Sequence, residues 1–372
     1  MPARLYRASS SQLQPIITTA PQLTELAARL GAQPRIGLDT EFLRERTYRA
    51  QLCLVQVSAA DLAACVDPLA LPDLGALAAV LTCPAVVKVM HASRQDLEVL
   101  LPVAGLVRPV FDTQIAASLT GLPAQIGYAE LVRRLLGHEL SKAHTRTDWS
   151  RRPLSAEQLE YALDDVHYLL PLAEQLQEQV RALGRAQWLE EELRSLDDPA
   201  ALTINPEDAW QRLKGLNNLD PARARLARQL AAWRERSAIE HNRPRGWILE
   251  EPVLREMITQ VPRSLAELEA IPGMPPGLAK RRGTELLACI AAAEVPLPTP
   301  PLPPRARPDP VKTALVKQLA GIIQSVATEL NVVPELLATR RDLEQLADGN
   351  QDAGVLSGWR RGVLGERLLA AL

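Results

Sequence analysis

Along the first half of the chain, apolar residues come in short runs separated by polar turns. RIGLDTEF, AQLCLVQVS and LAACVDP, between residues 35 and 70, each read as a strand, and their closeness predicts a hairpin-rich start. An apolar helical stretch from Leu74 to Leu81 follows. Then come the strand-like VVKVMHA at 86–92, a helix from about Ser93, and the apolar piece LVRPVFDTQ at 106–114 leading into helical patterns. This mixture predicts an α/β domain ending near residue 195. Beyond Asp198 the strand patterns stop. Residues 206–293 are helical, punctuated by NRPRGW at 242–247 and IPGMPPG at 271–277. Proline fills half of VPLPTPPLPPRARPDP, residues 295–310, which predicts an extended, semi-rigid spacer between two helical modules. With an offset of 89, Leu230, Asn242 and Ile248 fall on Leu319, Asn331 and Leu337, a weak repeat that two unrelated helical bundles can also produce.

A length of 372 residues with 47% hydrophobic content is enough for two or three domains. The charge, 42 basic against 44 acidic residues, carries no whole-chain signature of a nucleic-acid or membrane binder. No stretch approaches the roughly 18 apolar residues of a membrane span, and the N-terminal MPARLYRASSSQLQPIITTA lacks a continuous apolar core, so a soluble cytoplasmic protein is expected. Cys53, Cys65, Cys83 and Cys289 show no CxxC spacing and read as reduced thiols in apolar contexts rather than zinc ligands.

Three groups of acids stand out against this background. On a strand, residues two apart share a face, so Asp39 and Glu41 project side by side while Thr40 and Phe42 face the other way. Desolvating two adjacent carboxylates is costly without a cation between them, and a hard divalent metal with a preference for oxygen ligands meets that need. A strand end open to water, or pairing with Arg44 or Arg46, would meet it too. In VKVMHASRQDLEVL, Ser93 reads as an N-cap and Asp96 as the third helical residue, a place a carboxylate also takes for capping alone. His91 there is a candidate ligand or a structural histidine. In LSAEQLEYALDDVHYLLPL, Ser155 with Gln158 makes a capping box and Leu154 with Leu159 a hydrophobic staple, so a helix starts at 155 or 156. Tyr161 and Asp165, four apart, then share a helical face, which suits holding and deprotonating a water near a metal. The plainer alternative makes Asp164 and His167 the exposed pair and Tyr161 a half-buried aromatic.

Taken in order, these segments resemble the ribonuclease D family, bacterial DEDD exonucleases with a ribonuclease H-like fold. DTEF matches the first motif (Asp39, Glu41), HASRQDLEVL the second (Asp96) and YALDDVHYLLPL the third (Tyr161, Asp165). The tyrosine marks the DEDDy branch; the sister branch has histidine five residues before the aspartate, where this chain has Glu160. RERTYRAQLCLVQVS, VFDTQ and TRTDWSRRPL also look like this family. WQRLKGL, LAAWRERSAIEHNRPRGWIL and LEAIPGM…KRRGTELLACI resemble the helicase-and-ribonuclease-D C-terminal (HRDC) domain. The implied architecture is a mixed-sheet exonuclease domain at 1–195, an HRDC helical domain at 206–293, a proline-rich linker at 294–310 and a second HRDC-like module at 311–372.

The resemblance implies a 3′-to-5′ exoribonuclease releasing nucleoside 5′-monophosphates from structured RNA such as tRNA precursors. It implies Asp39, Glu41, Asp96 and Asp165 as ligands of two divalent ions, Mg²⁺ or Mn²⁺, about 3.5–4 Å apart, with Tyr161 positioning the attacking water. No small-molecule cofactor is implied. Two-metal hydrolysis does not itself choose the sugar, so a DNA exonuclease and a non-catalytic nucleic-acid tether are the alternatives. Residues 1–195 carry 19 basic and 22 acidic groups and residues 206–293 carry 14 and 11, so the helical domain is the better candidate to grip phosphates. Its PGMPPG turn with Lys280, Arg281 and Arg282 suits phosphate contact. Arg44, Arg46, Arg146, Arg151 and Arg152 flank the acidic motifs and are candidates to line the RNA path. Tyr48 and Trp149 are candidates to stack on a base, with core packing equally open for Trp149. A monomer with articulated modules is expected.

Overall fold

The structure, a computed structural model, describes residues 16–140, 147–213, 219–294, 309–350 and 352–372. They form two compact units. The first gathers the described residues up to Leu43, Leu52–Leu202 and the helices from Pro310 onward; the second gathers Arg44–Gln51 and the helices between Thr203 and Glu294.

In the first unit, helix α1 (Ala20–Gly31) leads into strands β1 (Arg35–Leu43), β2 (Gln51–Ala59) and β3 (Leu62–Val66). Helix α2 (Gly75–Leu81), strand β4 (Val87–Met90), helix α3 (Arg94–Ala104), strand β5 (Val110–Asp112) and helices α4 (Thr113–Ser118) and α5 (Tyr128–Leu136) follow. Helices α6 (Ala156–His167), α7 (Leu169–Ala182), α8 (Ala186–Arg194) and the one-turn α9 (Pro199–Leu202) complete the run. The strands form one sheet in the order β3-β2-β1-β4-β5; β1 pairs parallel with β4, β4 parallel with β5, and β2 antiparallel with β3. The inner strand β2 is buried at seven successive positions, Leu52 to Ser58, as a strand covered on both faces must be.

Gly37 in β1 sets how closely α6 can approach. A Cβ there would lie 2.2 Å from Ser58 Oγ and 3.1 Å from the Val166 carbonyl, and Ser58 Oγ donates to that carbonyl at 2.8 Å. Only glycine lets the end of α6 dock on the sheet at this distance.

The second unit is helical: α10 (Pro221–Glu240), α11 (Arg245–Ile248), α12 (Glu251–Gln260), α13 (Leu265–Glu269) and α14 (Leu278–Glu294) pack around Leu226, Leu230, Leu249, Leu254, Met257 and Leu286. The segment Arg44–Gln51 belongs to it. Tyr48 donates its hydroxyl hydrogen bond to the buried Glu235, and the Arg49 N–H donates to Asn242 Oδ1 at 3.0 Å.

The final helices are α15 (Pro310–Leu330), α16 (Pro334–Leu337), α17 (Arg340–Ala347) and α18 (Gly358–Leu369). The sequence sets residues 311–372 apart as a module, yet these helices share one apolar core with the α/β layers, where Leu319, Ile323, Leu337 and Leu364 join Val89, Phe111, Leu172 and Leu176. Trp359 stacks on Trp188 of α8 at 4.5 Å between ring centres, and Glu192 accepts from Trp359 Nε1 and Arg360 Nη1 at 2.7 and 2.6 Å. The offset of 89 recurs in the elements: α10 and α11 start at 221 and 245, α15 and α16 at 310 and 334. Asp220 and Asp309 both cap their helix before a proline, and Asn242 and Asn331 both take left-handed backbone.

Candidate active site

Asp39 and Glu41 lie toward the C-terminal end of β1, Asp96 in the first turn of α3, and Tyr161 and Asp165 on one face of α6. Helix α6 starts where the capping box puts it: Ser155 N–H donates to Gln158 Oε1 at 2.7 Å and Gln158 N–H to Ser155 Oγ at 3.2 Å. Helix α3 starts differently from the expected cap. Ser93 turns its hydroxyl to Asp112, at 2.8 Å, instead of capping the helix. Asp112 also accepts from the N–H groups of Ala92, Ser93, Gln114 and Ile115, so one buried carboxylate ties the left-handed turn at Ala92 to the start of α4.

Alternation along β1 turns Thr40 away from its acidic neighbours, but the first turn of α3 lies on that side. Thr40 Oγ1 donates to Asp96 Oδ1 at 2.5 Å. Asp96 is therefore a buried carboxylate with a fixed donor, not merely a helix cap.

The electrostatics place the acids around one site. Burial pushes Asp39 well above the usual carboxylate range, and Asp96, Asp165 and Glu41 push it further, with the Thr40 backbone N–H opposing. Burial and then Asp165 and Asp96 raise Glu41 to about 8. Asp165 rises to about 7 through burial and Asp164, and Asp96 to about 6 through burial, held back by Thr40. Tyr161 is pushed up to about 12 by burial and by Asp165, Glu41 and Asp39, so its phenol keeps its proton at neutral pH. Its ring stacks on the buried Trp149 at 6.2 Å between centres, which makes Trp149 a packing residue behind the site. Of the two adjacent aspartates, Asp165 acts on Asp39 and Glu41, whereas the Asp164 carbonyl accepts from Tyr128 Oη at 3.1 Å. His91 is a structural residue: its ring nitrogens meet Thr113 Oγ1 and the Ile126 carbonyl, and burial lowers its pKa.

Asp39 and Glu41, both raised by Asp165 and Asp96, make with them a carboxylate set that fits a hard divalent cation, which takes oxygen ligands and would cancel the repulsion. Among the described residues no three acids, histidines or cysteines stand close enough together to hold an ion as they are placed.

The basic candidates divide. Arg152 is bound internally, to both oxygens of Asp67 and to the Cys53, Trp149 and Arg151 carbonyls, and Arg282 lies over Trp233 while pairing with Glu285 at 2.7 Å. Both are structural in the first place. Arg44, Arg46, Arg151, Lys280 and Arg281 are exposed, Arg151 pairing with Asp148 at 3.1 Å. Arg146 lies outside the described residues. The roles of Thr40 and Asp112 have no local sequence signal, since Asp96 lies 56 residues from Thr40 and Ala92 and Ser93 lie about twenty residues upstream of Asp112.

Comparison with known proteins agrees with this geometry. Residues 14–181 match the 3′-5′ exonuclease family and residues 223–290 the HRDC domain family. The chain is 40% identical to ribonuclease D of Granulibacter bethesdensis over 95% of its own length and 91% of that protein. It is likewise 40% identical to ribonuclease D of Gluconacetobacter diazotrophicus, over 95% and 92%. The crystal structure of Escherichia coli RNase D, described as an exoribonuclease involved in structured RNA processing, superimposes with a TM-score of 0.86 at 34% identity, covering 97% of this chain and 98% of that one.

Proposed function

The chain belongs to the ribonuclease D family of 3′-to-5′ exoribonucleases, and from that premise we propose that it trims the 3′ ends of tRNA precursors and other structured RNAs, releasing nucleoside 5′-monophosphates one at a time. The observation that carries this is the convergence of Asp39, Glu41, Asp96 and Asp165, from a strand and two helices, into one mutually repelling group beside Tyr161. These four acids would hold two divalent ions, Mg²⁺ or Mn²⁺, which when bound neutralise phosphate charge and lower the pKa of a water. Tyr161, protonated at neutral pH, would hold the attacking water in position through its hydroxyl. Thr40 fixes the Asp96 carboxylate, and Trp149 fixes the Tyr161 ring. Lys280, Arg281, Arg44, Arg46 and Arg151 are the side chains offered to RNA phosphates, with Arg152 and Arg282 in supporting positions along the same segments, and Arg146 remains a candidate by sequence.

No helix among the described residues is long and apolar enough to cross a membrane. The proposed setting is the cytoplasm, with the chain acting as a monomer made of an exonuclease domain, an HRDC domain and a second HRDC-like module. The test is product identity on matched RNA and DNA substrates of one sequence. Nucleoside 5′-monophosphates appearing faster from RNA support the reading; equal or faster release from DNA, or 3′-monophosphate products, would overturn it.

A further inference from the structure

The second unit contains a cleft of about 220 Å³ between the N-terminal half of α10, the end of α14 and the residues around Trp210. Trp210, Arg225, Arg228, Gln229, Glu207 and Ala293 line it. Arg228 stands over the Trp210 ring with its guanidinium carbon 4.5 Å from the ring centre, and its buried Nε has no hydrogen-bond partner. No acid pairs with it among the described residues. Arg225 is anchored beside it by its Nε, which donates to the Ala293 carbonyl at 3.1 Å. The acid of the cleft, Glu207, is bound by Arg236.

Arg228 is half-buried, its Nε covered and unpaired while the rest of the guanidinium still reaches the cleft, and stacking on an indole offsets only part of the cost of covering that donor. A flat, pre-oriented fork with unfilled donors matches a phosphate oxygen pair. The fold itself does not require this arrangement. At the offset of 89 the second helical module has Ala314 for Arg225 and Lys317 for Arg228, and it forms the same helices.

We propose that this cleft is a phosphate-ester site of the helical domain, in which Arg228 and Arg225 hold a nucleotide phosphate while Gln229 contacts the attached nucleoside. The proposal rests on the reading of the chain as an RNA exonuclease, and its natural occupant is a phosphodiester of the bound RNA upstream of the 3′ end. A free nucleoside 5′-monophosphate carries the same chemistry.

The test uses the full chain with chelator, so that RNA stays intact, and measures binding of a labelled single-stranded oligoribonucleotide, of adenosine 5′-monophosphate and of inorganic phosphate. Arg228→Gln removes the cation; Gln229→Glu adds an acid to the cleft while leaving the Arg228–Trp210 stack in place, and carries the test if the first variant melts early. RNA affinity lower by about 3- to 10-fold in the variants, with a log–log salt slope shallower by about one, is the expected result. Loss of mononucleotide or phosphate binding alone supports the site with a free nucleotide as its occupant. Unchanged binding of all three probes by folded variants would overturn the site, while shortening of RNA by the unmodified protein with metal would leave the exonuclease reading standing.

Discussion

Asp39 sits among three other acids that all raise its pKa, so replacing it with asparagine should have two opposite effects. Exonuclease activity should fall about 10³-fold or more, roughly 4 kcal/mol of barrier. The metal-free protein should gain on the order of 1–2 kcal/mol of stability, a few degrees in Tm, because one member of a repelling set is gone. The same logic fixes a pH dependence. Glu41, Asp165 and Asp96, at about 8, 7 and 6, keep protons in the fold at pH values where the unfolded chain has released them. The folded cluster then binds more protons, so its contribution to metal-free stability is fullest near pH 4 and is lost as pH rises to 8. Thermal scans should show that decline, and Mg²⁺ or Mn²⁺ should raise Tm at pH 8 and barely at pH 5; an equal rise at both would contradict the assignment. Thr40→Val removes the donor that holds Asp96 down. It should move the acidic limb of the pH–rate profile upward and cut activity roughly tenfold. At this scale Asp39, Glu41 and the Tyr161–Asp165 spacing were legible in the sequence because each follows from local periodicity. Thr40 was not, because alternation says which way it points and nothing about the helix waiting there.

The strands and the α6 start follow from runs and caps within a few residues of each other, and the sequence shows them. Helix α1 carries no catalytic motif, and its apolar positions Leu23, Leu26, Ala27 and Leu30 are its local signal. Which elements touch depends on pairs far apart, such as Gly37 with Val166 and Arg152 with Asp67, and no local pattern encodes them. The first of these pairs is testable. Gly37→Ala should force α6 off the sheet, costing about 1–3 kcal/mol and lowering kcat at least tenfold by moving Asp165 away from Asp39. Retention of full kcat with an unchanged Tm would show that the close approach does not position the site.

Across the whole molecule, the sequence divides the chain by composition, and the proline-rich stretch makes the last helices look like a tethered addition. Amphipathic helices carry the same pattern whichever core they complete, so their destination on the α/β layers was not readable. The account predicts that a chain ending at Glu294 uncovers Trp188 on α8, opens the apolar core that Leu319 and Leu337 share with Leu172 and Leu176, and melts many degrees lower or aggregates. An unchanged melting curve would mean that these helices add nothing to the catalytic unit. The central claim, that the acid cluster is a metal-dependent exonuclease centre, is tested most directly by a time course on a 5′-labelled, 3′-extended RNA, run with Mg²⁺, with Mn²⁺ and with chelator, beside Asp39→Asn. The account predicts a ladder shortening from the 3′ end with either metal and an intact label in chelator and in the variant. Shortening that persists in chelator or in Asp39→Asn, or an intact label in every lane, would contradict it.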